Sequence, residues 1–284
     1  MIMRQGFLPF FLLGIFLIPL SDLRGQEDFL LPFSLQASLA DAPAINGLST
    51  RYPALPALFP ESTGSFGGAF ARYGFIKENG TYGLGACLQK SRNAWIFHYH
   101  YQGFSLWHRQ DAGIGYARHL LPGLAVGASL SYRTGNKIEN RKRESLLEIN
   151  LSTAFKTGIW AIGIDFRQPV ALYSLQKKEW NRALSLHVGI ACHIFKQLHA
   201  GIDLYKDLRY PLQGGLSFGY TIGNLFLIYA QARINPSSYK LGLAFTGKRI
   251  NVEIAAAYQH PLGFESTAGI TWKPNLFRSQ TSRR

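Results

Sequence analysis

From Phe66 to Trp272 the chain repeats one pattern: a bulky apolar residue, then a small or polar one, in one short stretch after another. The closing stretch shows it twice. Val252, Ile254, Ala256 and Tyr258 alternate with Asn251, Glu253, Ala255, Ala257 and Gln259, and then Leu262, Phe264, Ala268, Ile270 and Trp272 alternate with Gly263, Glu265, Thr267, Gly269 and Thr271. Side chains at a period of two stand on opposite faces of a strand, so each stretch has one greasy face and one sparse face.

The same alternation recurs upstream. Trp95, Phe97, Tyr99 and Tyr101 oppose Ile96, His98, His100 and Gln102, and Leu124, Val126, Ala128, Leu130 and Tyr132 oppose Ala125, Gly127, Ser129, Ser131 and Arg133. Leu147, Ile149, Leu151 and Phe155 oppose Glu148, Asn150, Ser152 and Lys156; Trp160, Ile162, Ile164 and Phe166 oppose Ala161, Gly163, Asp165 and Arg167; Leu184, Leu186, Val188 and Ile190 oppose Ser185, His187, Gly189 and Ala191. Further strands are expected at 66–76, 82–89, 108–119, 198–205, 214–222, 225–234 and 239–246. Leu225 to Ile234 is the poorest of them, apolar on both sides. The total is about fourteen strands.

Connections alternate in length. Every second one is a short turn, such as Lys156-Thr157-Gly158 or Ile222-Gly223-Asn224, while polar linkers at 134–145, 168–182 and 206–213 fall among the others. That asymmetry is expected of a barrel in an outer membrane, with short turns inside the cell envelope and longer loops outside.

The greasy face decides the solvent. A soluble barrel fills its interior with the bulky stripe. Here the other stripe is mostly Gly, Ala and Ser with scattered charges, which suits a lumen, while charges on a lipid-facing stripe would cost about 2–4 kcal/mol at the midplane. Closure follows, because an unpaired sheet edge finds no water in hydrocarbon. The expected fold class is therefore all-β: a transmembrane antiparallel up-and-down β-barrel with an apolar exterior facing lipid and a lumen of polar and small residues. Tyr73, Tyr82, Trp95, Tyr132, Trp160, Tyr220, Tyr258 and Trp272 lie near strand ends, where aromatic rings suit the headgroup layer.

The rest of the chain supplies the address. Arg4, the apolar run Phe7 to Leu20, and then Ser21, Asp22 and Arg24 have the regions of a secretory signal, with cleavage expected before Gln26 and an uncleaved anchor as the alternative. The expected organisation is a signal at 1–25, a plug or periplasmic strap at 26–65, a barrel at 66–273 and a basic tail at 274–284. Pro53, Pro56 and Pro60 exclude a central strand from the second of these. The two cysteines, Cys87 on the inner face and Cys192 on the outer, are expected to remain unbonded. The net charge of +14 fits loops beside anionic lipid headgroups, and export argues against nucleic acid as a partner.

Lumen-lining candidates are His98, His100, Arg133, Glu148, Asp165, Arg167, His187, Asp203, Glu253 and Glu265. Lys137, Arg141, Lys142 and Arg143 form a basic loop suited to lipopolysaccharide phosphates or to a partner protein, with a solvated charge run as the bland reading. Catalytic chemistry is thinly represented. His98 and His100 could share a metal, and His260 with Ser266 has the residue types of a lipase pair, but no phosphate loop, zinc spacing or paired-carboxylate motif accompanies them. No enzyme, metal or cofactor is expected.

Three stretches carry a family resemblance. AAAYQHPLGFESTAGITW resembles the final hairpin of barrels related to the long-chain fatty-acid transporter, in particular the branch containing the outer-membrane proteins of type IX secretion. RQDAGIGYARHLLPGLAVGASLSY and LHAGIDLYKDLRYPLQGGLSFGYTIGN are similar to strand, short turn and strand units of that family. In place of its N-terminal Asn-Pro-Ala signature stands Arg51-Tyr52-Pro53-Ala54. The resemblance implies a fourteen-stranded barrel with a periplasmic N-terminal segment, residence in the outer membrane of a Gram-negative bacterium, and transport or secretion as its business. The expectation is thus a monomeric barrel, surrounded by outer-membrane lipid and lipopolysaccharide, that passes a hydrophobic or small substrate. The alternatives are a component of a secretion or surface-anchoring assembly, docking a secretion-system protein, or a lipid-modifying enzyme.

Overall fold

The structure, a computed structural model, describes residues 65–73, 80–90, 92–103, 108–136, 143–167, 172–173, 180–181, 184–195, 197–207, 211–223, 225–235, 237–247, 249–260 and 263–272. In chain order the strands are β1 (Ser65–Tyr73), β2 (Gly80–Lys90), β3 (Asn93–Gly103), β4 (His108–Leu121), β5 (Leu124–Asn136), β6 (Arg143–Thr157) and β7 (Trp160–Arg167). A two-residue ladder of β8 (Leu172–Tyr173) and β9 (Trp180–Asn181) interrupts the next connection. Then come β10 (Ser185–His193), β11 (Leu198–Asp207), β12 (Gln213–Ile222), β13 (Phe226–Ile234), β14 (Ser238–Thr246), β15 (Ile250–Gln259) and β16 (Gly263–Trp272).

All but β8 and β9 form one closed antiparallel sheet of fourteen strands. Each pairs with its neighbours in the barrel order, β7 meets β10, and β16 returns onto β1 from Phe66 opposite Trp272 to Tyr73 opposite Glu265. No edge is left to satisfy, which is the condition for strands to stand in hydrocarbon. The expected architecture and strand number are both found.

The faces also fall as the alternation requires. Leu130, Ile162 and Ile254 are exposed on the outside, and Leu186, which pairs with Phe166 on the same parity, is half-buried there; they do not meet across a dry centre. Inside, the fully buried apolar side chains are mostly alanines, among them Ala94, Ala117, Ala125, Ala161 and Ala191, joined by Ile96. Small residues face each other across strands because the register repeats the pattern: Ala94 opposite Ala117, Ala125 opposite Ala154, Ala161 opposite Ala191. Counted from the short-turn end, the inner residues of β5 run Ala125, Gly127, Ser129, Ser131, Arg133, and those of β7 run Ala161, Gly163, Asp165, Arg167. Charge therefore enters the wall above a floor of small groups.

Two to four residues join the strands at one end, whereas the other end ranges from three residues between β13 and β14 to seventeen between β7 and β10. The turn between β4 and β5 shows why glycine is needed there. Gly123 has a φ of 80°, and a Cβ on it would strike the carbonyl of Lys156 on β6. Its N–H instead reaches His119 Nε2 at 3.2 Å.

Aromatic rings gather towards both ends of the outer surface. Phe66 lies 6.3 Å from Trp272 and Trp95 lies 4.7 Å from Tyr116 at the short-turn end; Phe70 with Tyr82 (5.1 Å) and Tyr258 with Phe264 (5.1 Å) mark the other. Tyr73 departs from the expectation. Its register opposite Glu265 puts it on the inner parity, and its side chain lies outside the described residues. Ser65 already belongs to β1, paired with Cys87, and residues 74–76 of the first expected strand lie outside the described residues. The signal, the rest of the plug or strap, and the basic tail lie outside the described residues.

Candidate functional site

The inner wall is built from residues that alternate with the lipid-facing ones, so the register decides which of them meet. Gly83 on β2, His100 on β3, Asp111 on β4 and Arg133 on β5 share one level of the inner face. One residue pair nearer the short turns, Gly85, His98, Gly113, Ser131 and Glu148 share the next.

Between these two levels runs a chain of charges. His98 Nε2 lies 2.6 Å from Asp111 Oδ1, Asp111 Oδ2 accepts from Arg133 Nε at 3.1 Å, and Arg133 Nη1 pairs with Glu148. Four strands are tied in sequence by it. On the adjoining arc Arg167 Nε holds Asp165 Oδ2 at 3.0 Å, and His187 Nε2 lies 3.2 Å from Asp203 Oδ1. Across the barrel, the Tyr229 hydroxyl on β13 donates to Glu253 on β15, and Lys240 on β14 lies within electrostatic reach of Glu253, Glu265 and Arg233. Asp165 is 0% exposed and Glu148 4%, and carboxylates so enclosed persist in charged form only with partners of this kind.

Every lumen-lining candidate therefore sits on the inner parity. His98, Arg133 and Glu148 fall in one network, Asp165 with Arg167 and His187 with Asp203 in separate pairs, Glu253 and Glu265 on the opposite arc, and His100 across from Asp111. Sequence reasoning passed over Arg109, Asp111, Lys240 and Tyr229. For the first three the signal was present: Arg109, Asp111 and Gly113 alternate with Ala112 and Ile114, and Lys240 and Gly242 alternate with Leu241 and Leu243. Tyr229 gave none, because the first half of β13 is apolar on both faces and its inward Leu227 and Tyr229 are as bulky as its outward Phe226 and Ile228.

A third feature stands at the short-turn end. His199 Nδ1 and His193 Nδ1 are 2.7 Å apart, with rings edge to face, and His199 Nε2 lies 3.2 Å from Thr221 Oγ1. One imidazole must donate and the other accept, so the pair cannot carry two charges and keep this bond.

Among the described residues, neither histidine pairing is arranged as a catalytic relay. Ser131 Oγ lies 3.5 Å from His98, but from the same Nε2 that holds Asp111, whereas a Ser-His-Asp relay needs the two partners on different ring nitrogens. His260 and Ser266 are both exposed and not hydrogen-bonded to each other; the His260 N–H donates to the Ser237 carbonyl. Among the described residues no group of three or more His, Cys, Asp or Glu is placed to hold a metal. Cys87 and Cys192 are both free thiols. Lys137, Arg141 and Lys142 lie outside the described residues; Arg143 opens β6 opposite Asn136, with its side chain likewise outside them.

Glycine makes room for the large polar groups. A Cβ on Gly113 would collide with the His98 ring and meet Ser131 Oγ at 2.6 Å, and one on Gly242 would collide with the Tyr229 ring. Each glycine lets a neighbour's side chain lie flat across its strand. Gly242→Val is therefore expected to displace Tyr229 from Glu253 and to cost about 1–3 kcal/mol, read as a lower urea midpoint for the folded barrel. Gly158→Val, at a turn where a Cβ meets nothing within 4 Å, is the control for backbone strain alone.

No known family profile matches the chain, and no curated protein matches it. Solved structures do. The toluene transporter TodX of P. putida matches with a TM-score of 0.57 at 10% identity, over 78% of this chain and 90% of that one. A FadL homologue of Pseudomonas aeruginosa gives 0.56 at 8% identity, over 87% and 100%, and the outer membrane protein Omp33 of Acinetobacter baumannii gives 0.51 at 10%, over 76% and 99%. At these identities the likeness is one of fold: the chain has the closed antiparallel barrel found in outer-membrane proteins.

Proposed function

We propose that this protein resides in the outer membrane of a Gram-negative bacterium as a monomeric barrel and passes a hydrophobic or small substrate across it. One observation carries the reading: the bulky apolar stripe is outside all the way round, and the ionisable groups His98, Asp111, Arg133, Glu148, His187 and Asp203 are inside, paired across strands. A soluble protein gains nothing from exposing Leu130, Ile162 and Ile254 while burying Asp165 and Glu148. The barrels it is similar to in fold include a toluene transporter and a FadL homologue, which supports transport as the task.

The reading is tested on purified full-length protein. It should migrate in a heat-modifiable form, and after reconstitution it should conduct ions in planar bilayers or admit solutes to liposomes. Recovery as a soluble periplasmic species would overturn the location, and a folded barrel that passes nothing would overturn the transport.

A second reading is a barrel that scaffolds a secretion or surface-anchoring assembly. The type IX resemblance supports it, as does the enclosure of Tyr229, Glu253, His187 and Asp203, each under 8% exposed. In that case a stable protein partner should copurify from membranes, with the basic segment around Lys137 to Arg143 as its docking loop; without a partner, that segment meets lipopolysaccharide phosphates.

A further inference from the structure

Three arginines stand on one arc of the inner wall: Arg109 on β4, Arg133 on β5 and Arg167 on β7. Two of them are engaged. Arg133 bridges Asp111 and Glu148, and Arg167 holds Asp165, while Asp111 is further bound by His98.

Arg109 differs. Its Nε is shut off from water and has no hydrogen-bond partner. Neither cross-strand neighbour supplies one: Gly135 on β5 has no side chain, and Gln102 on β3 stands opposite without bonding that nitrogen. Nor is there space on β5 for a residue that could, since a Cβ on Gly135 would lie 3.0 Å from the His108 carbonyl oxygen and 3.5 Å from Arg109 Cα. The electrostatic neighbours of Arg109 are Arg133, Arg167, Asp111 and Glu148, so it belongs to this arc, at its long-loop end. A buried donor without an acceptor is a standing cost that an arriving acceptor removes.

We propose that Arg109, flanked by Arg133 and Arg167, is a subsite for an oxyanion, a phosphate or sulfate group carried into the lumen by a soluble substrate. This rests on the transport reading above and names the class of substrate. Three guanidiniums here face three carboxylates, Asp111, Glu148 and Asp165, so selectivity comes from the unsatisfied guanidinium of Arg109 and not from net charge. A planar guanidinium gives two parallel bonds to an oxyanion and no such pair to a halide. Low dielectric and little competing water strengthen those bonds at the wall.

The test uses the full-length barrel in detergent, unfolded by urea in inorganic phosphate or in chloride at equal ionic strength. Phosphate should stabilise the wild type saturably beyond chloride, and Arg109→Gln should weaken the apparent phosphate affinity by about tenfold or more, as losing a charge-assisted bidentate contact does. Arg109→Lys, which keeps the charge without the fork, should fall between them and guards against a mere folding defect. An unchanged affinity in Arg109→Gln, or equal effects of phosphate and chloride on the wild type, would overturn the subsite. Bilayer conductance separates the two readings. Current without phosphate-specific binding removes the subsite and leaves transport standing, while binding that Arg109→Gln abolishes, without any current, keeps the subsite and removes transport.

Discussion

Arg133→Leu is expected to destabilise the barrel by about 3–5 kcal/mol, the cost of breaking a buried pair from one side. Arg133 is the hinge of the longest ion-pair chain among the described residues, and its loss takes the guanidinium from two carboxylates at once, Asp111 at 13% side-chain exposure and Glu148 at 6%. Urea unfolding of the folded form, followed by loss of its heat-modifiable band, measures the effect. The triple variant Asp111→Asn, Arg133→Leu, Glu148→Gln should recover most of it, because removing every charge removes the desolvation problem along with the attraction. A single variant as stable as the wild type would mean that lumen water solvates these groups and the network contributes little.

The outer face gives the second large effect. Ile254→Arg, mid-strand on β15 and 55% exposed, should cost about 2–4 kcal/mol in a bilayer, whereas Ile250→Arg at the strand's end should cost about 0–1 kcal/mol. Refolding into liposomes of defined thickness and comparing unfolding midpoints resolves the two. In a soluble setting the order would vanish, since an exposed isoleucine tolerates arginine at either depth. Equal midpoints in the bilayer would therefore count against a lipid-facing stripe.

Architecture was legible because alternation is local and repeats. Trp95 to Tyr101 and Leu124 to Tyr132 each declare a strand and its greasy face without reference to any other part of the chain, and the short turns then set neighbours and register. Partnerships were not legible. That His98 meets Asp111 and Arg133 meets Glu148 depends on which residues share a level across four strands, which a shift of one pair would undo. Tyr229 was hidden for another reason: in the first half of β13 both faces are bulky, so periodicity could not tell the ring that enters the lumen from the ones that meet lipid. Gly113 and Gly242 are plain in the sequence, yet their use as clearance for a neighbour's ring exists only once the strands are paired.

The central claim is that bulky residues face hydrocarbon and sparse ones line the cavity, and β15 tests it most directly. Single cysteines at each position from Val252 to Ala257, in a background lacking Cys87 and Cys192, can carry nitroxide labels in the reconstituted barrel. Collisions with lipid-soluble oxygen should peak at Val252, Ile254 and Ala256 and fall at Glu253, Ala255 and Ala257. The opposite phase, or no period of two, would contradict it.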